Sequence, residues 1–435
     1  MRFVSTEGKA PPVDLRTALF RGLAPDGGLY VPDHIRPIPQ REVAALREKP
    51  LQHTARVVGQ HLLRDQLGAD TVGEILEEAL DFPVPLVCFD DEFHVLELFH
   101  GPTAAFKDVA ARVMARLMAV LHDETQGRLT VLTATSGDTG GAVAHAFHRL
   151  QGTRVIVLYP RGRVSPLQER QFAALEGNVT AVAVSGTFDD CQQLAKRALA
   201  DRDLRHAVRL TSANSINIGR LLPQVIYYAH AWAQLPEGAE SAAFAVPSGN
   251  FGNLTAGLIA KRLGIPIRRL IAATNVNDVV PEYLRTGDFR PRPAAHTISS
   301  AMDVGDPSNF ARVLALYAGS HVALCRDVVG RSFTDAETRE AIAAVFRQRG
   351  YVLDPHSAVG YLALQSEMVK QPGVAGVLLA TAHPAKFGEI VEPAIGRSVA
   401  LPPALEACMA REPASMSIDV SYPALRALLL SGENR

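Results

Sequence analysis

The chain has 435 residues, of which 47% are hydrophobic and 20% charged. That length implies two or three domains with an ample core, and that balance excludes a disordered chain. With 44 basic against 45 acidic side chains the formal charge is −1, so no global field recruits nucleic acid or an anionic membrane.

Met1 to Leu15 carries no apolar signal-peptide core, and no apolar run approaches the ~20 residues that span a bilayer. Cys88, Cys191, Cys325 and Cys408 are too scattered for a CxxC pair and suit a reducing compartment. A cytoplasmic protein is expected. Residues 1–95 are punctuated by Pro11, Pro12, Pro25, Pro32, Pro37 and Pro39. Helical patterns follow near Arg41–Glu48, Gln52–Leu67 and Val72–Leu80, so this region reads as mainly helical, ending at Pro83 and Pro85.

Alternation of strands and helices then begins. Strands are predicted at Arg128–Ala134, Arg154–Tyr159 and Val179–Val184, with helices at Gly141–Leu150, Leu167–Leu175 and Cys191–Ala200. The rhythm returns with a strand at Ala242–Val246, a helix at Leu254–Leu263, and strands at Arg268–Asn275 and Val374–Thr381. Short connections between such elements imply parallel strands covered by helices on both faces: an α/β class with open twisted sheets. Val279 to about Asn309 is rich in Pro, Asp and Gly and reads as a loop-laden insertion, reaching to about residue 330. The expected division is 1–95, 96–220 and 221–435. No internal repeat is present.

Open parallel sheets bind ligands beyond the carboxyl ends of their strands. Three unusual segments fall there. Thr133 to Gly141 (TATSGDTGG) joins a strand to a helix, and its glycines, amides and the Ser136 and Thr139 hydroxyls could hold a carboxylate or phosphate; a plain helix cap built on Ser136 or Asp138 reads equally well. Pro247 to Asn253 (PSGNFGN) makes a similar turn. It lacks the Lys-Ser/Thr of a Walker loop and the three glycines of a dinucleotide site, so a lone phosphate suits it better than a nucleotide. Glu97 to Asp108 (ELFHGPTAAFKD) places Lys107 at the start of a helix running through Asp108–Leu121. A lysine there opposes the helix dipole, and apolar surroundings favour its neutral amine. Both suit a covalent cofactor lysine, although most lysines are solvated surface groups.

Two further segments add donors. Asn214 to Arg220 (NSINIGR) offers a guanidinium suited to phosphate, or an ordinary surface cation. Ala380 to Phe387 (ATAHPAKF) ends the last long strand, with His383 read as structural. No G-x-S-x-G elbow or H-E-x-x-H helix points to a hydrolase.

At these segments the sequence resembles the longer bacterial and fungal threonine synthases, which share the fold-type II pyridoxal-phosphate (PLP) architecture of tryptophan synthase β. Phe99–Asp108 resembles the family's lysine motif, with Ala104 standing where a larger apolar residue is common. Gly22–Pro32 and Ser300–Gly305 resemble further family segments. The resemblance implies conversion of O-phospho-L-homoserine and water to L-threonine and phosphate. It implies that Lys107 holds PLP and serves as the base, that Gly249, Asn250, Phe251, Gly252 and Asn253 bind the PLP phosphate, and that Thr381 faces the pyridine nitrogen. Thr103, Ser136, Gly137, Asp138 and Thr139 would bind substrate or lie near the ring. Ser215, Asn217, Arg220 and Lys386 would grip the leaving phosphate. Asn is common at position 138 in relatives, and an acidic group there would repel a carboxylate, so the Asp138 side chain is expected to turn away. A related PLP dehydratase and a non-catalytic phospho-metabolite binder are the competing readings. The oligomeric state, monomer or homodimer, stays open.

Overall fold

A computed structural model describes residues 1–90, 92–122, 127–368 and 373–431. Its strands, in chain order, are β1 (Phe3–Ser5), β2 (Tyr30–Pro32), β3 (Leu86–Cys88), β4 (Phe93–Glu97), β5 (Leu129–Ala134), β6 (Thr153–Pro160) and β7 (Val179–Val184). They continue with β8 (Arg209–Ser212), β9 (Ser241–Pro247), β10 (Ile267–Thr274), β11 (Val328–Ser332), β12 (Val374–Ala380) and β13 (Ser415–Ile418). β5 through β8 and β13 form a five-stranded sheet in the order β13-β7-β6-β5-β8. A six-stranded sheet has the order β11-β10-β9-β12-β4-β3, and β1 pairs with β2 alone. Every pairing in the two larger sheets is parallel except β3 with β4.

The parallel strands are apolar on both faces because helices cover both faces. All six residues of β5 and all eight of β6 are buried. On one side of that sheet the helices Phe188–Ala200 and Tyr422–Leu430 bury Leu194, Ala198, Leu425 and Leu429 against Leu132, Ile156 and Val182. A cluster on the larger sheet joins Val95, Ala245, Ile271 and Leu378 to the helices Asp335–Arg349 and Pro355–Glu367. The largest cluster runs from the N-terminal helices through Lys107–Leu121 and Val225–Gln234 and ties both sheets together.

The expected boundaries do not follow the sheets. β3 and β4 lie within residues 1–95, or cross its end, yet both are strands of the six-stranded sheet. β13 lies within 221–435 yet extends the five-stranded one. Strand pairing is long-range, so a boundary drawn from composition cannot see it. The N-terminal region does hold the helices Leu15–Arg21, Gln40–Ala44, Leu51–Leu63 and Ala69–Ala79. The insertion is less bare than expected, containing the helix Val279–Thr286 and a 3-10 turn at Ser300–Met302. Its irregular remainder is pinned: Asp303 accepts hydrogen bonds from Asn275 Nδ2 (2.9 Å) and Thr297 Oγ1 (2.8 Å), and Asn277 Nδ2 donates to the Ala295 carbonyl (2.9 Å). This clamp holds Ala301 and Met302 over the loop that follows β9, where a Cβ on Gly249 would meet the Ala301 carbonyl at 2.3 Å.

Candidate active site

Three strand-to-helix turns and the Asn214–Arg220 loop converge on one cleft, which offers about 1290 Å³ of space, part of it open to solvent. Of the residues singled out from sequence, Lys107, Ser136, Asp138, Thr139, Ser215, Arg220, Gly249, Asn250, Phe251, Gly252, Asn253 and Thr381 line it.

The turn after β5 is braced internally. Thr135 Oγ1 accepts from the amides of Gly137 (2.9 Å) and Gly140 (2.8 Å). Gly137 has φ +144°, and a Cβ there would lie 2.5 Å from the Gln168 side chain, so only glycine fits. The amides of Asp138 and Thr139 open the helix Asp138–Phe147 and lack intrahelical acceptors, which makes this a place for an anion. Asn214 staples the turn to the neighbouring loop, donating to the Ala134 carbonyl (2.6 Å) and accepting from its amide (3.0 Å).

The turn after β9 runs into the helix Gly252–Arg262. Phe251 sits at φ +60°, in the left-handed region, buried against Phe310. Asn253 Oδ1 accepts from the Tyr227 (2.6 Å) and Tyr228 (2.7 Å) hydroxyls. Its amide orientation is thereby fixed, leaving the buried Nδ2 with no protein partner. A buried orphan donor costs stability unless a ligand satisfies it. A phosphate at this helix N-terminus would do so, and the donor set fits the phosphate of PLP.

Ser215 Oγ accepts from Asn250 Nδ2 and Asn309 Nδ2, each at 3.0 Å, so its own proton is left to donate. Buried Arg312 holds the Ser215 (2.8 Å), Ile216 (2.6 Å) and Tyr30 (2.7 Å) carbonyls and so fixes this loop. Arg220 gives Nη1 to the Ala213 carbonyl (2.6 Å), while its Nε is buried without a partner. Burial pulls this guanidinium down to about 10, still a cation at neutral pH.

Lys107 begins the helix Lys107–Leu121 as expected. Its segment is tied to the end of β12: the Phe106 amide donates to the Thr381 carbonyl (2.9 Å), and Ala105 bridges to Ala382. Ala104 has φ +52°, a left-handed conformation that a bulkier side chain would make worse. Burial lowers the Lys107 pKa, against the pull of Asp138 and with the push of Lys386 and Arg220.

Four expected contacts are not on the cleft. Asn217 caps a 3-10 turn, its Oδ1 accepting from the Gly219 amide (2.9 Å) and its Nδ2 donating to the Leu19 (2.8 Å) and Ser212 (2.9 Å) carbonyls; it has no donor left for a phosphate. Thr103 is buried, its Oγ1 donating to Asp108 (2.6 Å). Gly137 shapes its turn from behind. Lys386 is buried and gives its ammonium to Asp138 Oδ1 (2.7 Å) and the Thr103 carbonyl (2.8 Å). Asp138 lines the cleft, with Oδ1 turned to Lys386 and Gln168 (2.9 Å) and Oδ2 near Lys107. Burial alone would raise its carboxyl, but Lys386 and then Lys107 hold it well below the ordinary carboxylate range. His383 is structural, capping the next turn through Nδ1.

Sequence reading missed His356, which hydrogen-bonds Asp354 (2.8 Å) and accepts from the Ala301 amide (3.2 Å). It also missed Phe188, Gln192 and Lys196, spaced four apart on one face of the helix Phe188–Ala200. That spacing is legible as a helix face, but nothing local distinguishes a cleft from bulk water.

Models of three families match the chain: "Threonine synthase N terminus" over residues 2–80, "Pyridoxal-phosphate dependent enzyme" over 90–379, and "Threonine synthase, C-terminal" over 357–428. The threonine synthase of Haemophilus influenzae is 44% identical over 419 residues, covering 96% of this chain and 97% of that one. The chain belongs to the threonine synthase family. The threonine synthase of Escherichia coli K12 is 41% identical, over 96% of this chain and 97% of its own. A crystal structure of threonine synthase from Escherichia coli superposes with a TM-score of 0.92 over 99% of this chain and all of that one, at 39% identity. A PLP-bound threonine synthase from Brucella melitensis matches with a TM-score of 0.92 at 36% identity, covering 100% of both chains. The fold is therefore the fold-type II PLP arrangement, and this family member is a PLP-dependent enzyme.

Proposed function

We propose that this threonine synthase family member converts O-phospho-L-homoserine and water to L-threonine and phosphate. The observation that carries the reading is one half-buried lysine, Lys107, at a cleft shared by the two anion-ready turns and the Asn214–Arg220 loop. Bound PLP supplies the electron sink for a carbanion at the substrate Cα. Lys107 Nζ holds the cofactor, then takes the Cα proton and moves the next one at Cβ. Asn253 Nδ2 and the amides of Gly249 to Asn253 bind the cofactor phosphate. Thr381, which lines the cleft, would supply a hydroxyl to the ring nitrogen, and a hydroxyl does not force a charge there as a carboxylate would. Ser136, Thr139 and the amides of their turn bind the substrate carboxylate. Ser215 and Arg220 hold the substrate phosphate as it leaves, where preorganised donors count most.

A near-zero net charge supports a small-molecule substrate over nucleic acid. Among the described residues no helix is long and apolar enough to cross a membrane, and the four cysteines are unpaired; these support a reducing, cytoplasmic setting. Supplied with PLP and O-phosphohomoserine, the protein is expected to release phosphate and threonine. Release no faster than from Lys107→Ala would refute the assignment. A 2-oxo acid with ammonia as the main product would mark a dehydratase instead.

A further inference from the structure

At the cleft wall, Asp138 stands between two ammonium groups of unequal reach. Lys386 Nζ is 2.7 Å from Oδ1, whereas Lys107 Nζ is 3.5 Å from Oδ2. The Lys386 side chain is 0% exposed, and its second hydrogen bond, to the Thr103 carbonyl, is 2.8 Å. Gln171 Nε2 donates to that same carbonyl (3.0 Å), and Gln168 Nε2 to Asp138 Oδ1 (2.9 Å). The group is held on every side, so the inequality is a built feature of the site.

Its consequence is electrostatic. In a poorly solvated site an unshared carboxylate binds a neighbouring ammonium strongly and keeps it protonated. Here the carboxylate is already matched by Lys386, which makes the closer contact. Lys107 is left with a weakened partner. Arg220, from the turn Ile218–Arg220, adds repulsion. Asp108, on the helix of Lys107 itself, has both oxygens engaged by Thr103, whose amide donates to Oδ2 (2.9 Å) and hydroxyl to Oδ1 (2.6 Å). Lys196 is the remaining cleft-lining cation, and His356 uses Nε2 to accept from the Ala301 amide.

We propose that Lys386 is a positioning residue whose cation offsets Asp138, so that Asp138 does not lock Lys107 in its protonated form and Lys107 can join the cofactor. The inference rests on the reading of Lys107 as the cofactor lysine. Joining replaces the aldehyde C=O by a C=N bond to Nζ, the oxygen leaving as one water with the two protons of the neutral amine, and only unprotonated Nζ can begin it. The function is not phosphate binding, for which Lys386 has no free face on the cleft.

The test uses the full-length chain stripped of cofactor. PLP is added across about pH 6 to about pH 9, capture is followed by absorbance, and the linkage is trapped with borohydride on the Lys107 peptide. Lys386→Gln keeps an amide donor but no charge. It is expected to move the capture profile to higher pH, slowing capture at neutral pH ~10-fold per unit moved. Asp138→Asn combined with Lys386→Gln leaves no unshared carboxylate, and its profile should return below that of Lys386→Gln. A merely structural role would depress capture at all pH values alike. An unmoved profile in Lys386→Gln, or a double variant that coincides with it, overturns the proposal. Failure of the unmodified chain to capture PLP at any pH, with no label on Lys107, overturns the cofactor-lysine reading itself.

Discussion

Asn217 and Arg220 stand three residues apart in one polar loop, and the chain uses them oppositely. Asn217 satisfies backbone groups on both sides of itself, while Arg220 keeps a buried Nε without a partner. Removing a charged group that would pair with substrate phosphate costs about 2–5 kcal/mol, since the phosphate is then left unmatched. Arg220→Ala is therefore expected to lower kcat/KM for O-phosphohomoserine ~30-fold or more while the bound cofactor's absorbance persists. Steady-state kinetics beside a PLP spectrum checks this. His230 is a second residue with a readable consequence. It is 6% exposed, with Nδ1 unpartnered, and burial lowers its pKa to about 4. A histidine that stays neutral when folded but charges when unfolded contributes stability above about pH 6.5 that is lost as pH falls towards 4. Between pH 7 and pH 5 the loss is about 2 kcal/mol. Urea unfolding at both pH values should show it, and His230→Gln should reduce it.

Strand-to-helix turns are where sequence and element agree best. The strands β5, β6 and β7, the turn after each, and the start of the helix at Lys107 fall within a few residues of their expected places. Alternating strand and helix patterns with short connections carry their own punctuation. Among the helices that the sequence pattern did not reveal, two share a physical reason. Val225–Gln234 is buried at nine of ten positions and Pro355–Glu367 at nine of thirteen, so neither has the polar stripe that marks a surface helix. The site turns make an element-scale prediction. A Cβ at Gly249 would sit 2.3 Å from the Ala301 carbonyl, which the insertion holds in place. Gly249→Ala must therefore shift the phosphate turn. It is expected to weaken PLP binding by at least ~10-fold, about 1.4 kcal/mol, with little change in secondary structure. PLP titration with circular dichroism checks it.

On the scale of the molecule, the cleft lies where segments attached to both sheets meet. Lys107 stands between β4 and β5, Ser136 and Thr139 follow β5, Asn253 follows β9 and Thr381 follows β12. A ligand that bridges these turns binds only the folded state. At 100-fold over Kd, PLP should add about 2.7 kcal/mol to stability. Calorimetry with and without PLP should show a higher Tm for the loaded chain, and Lys107→Ala should retain only the non-covalent part. An unchanged Tm would mean that the turns do not act as one site.

The sequence by itself determined the α/β class, the three turns, the lysine that opens a helix and the family resemblance, because strand periodicity, glycine turns and helix starts are encoded within a few residues. Tertiary structure alone decided that β3 and β4 join one sheet and β13 the other. It alone decided that Lys386 faces Asp138 across 248 positions of chain, and that Asn217 caps a turn while Arg220 opens on the cleft. Partnership of a side chain depends on what long-range packing brings beside it, and neither hydrophobic period nor motif spacing carries that information.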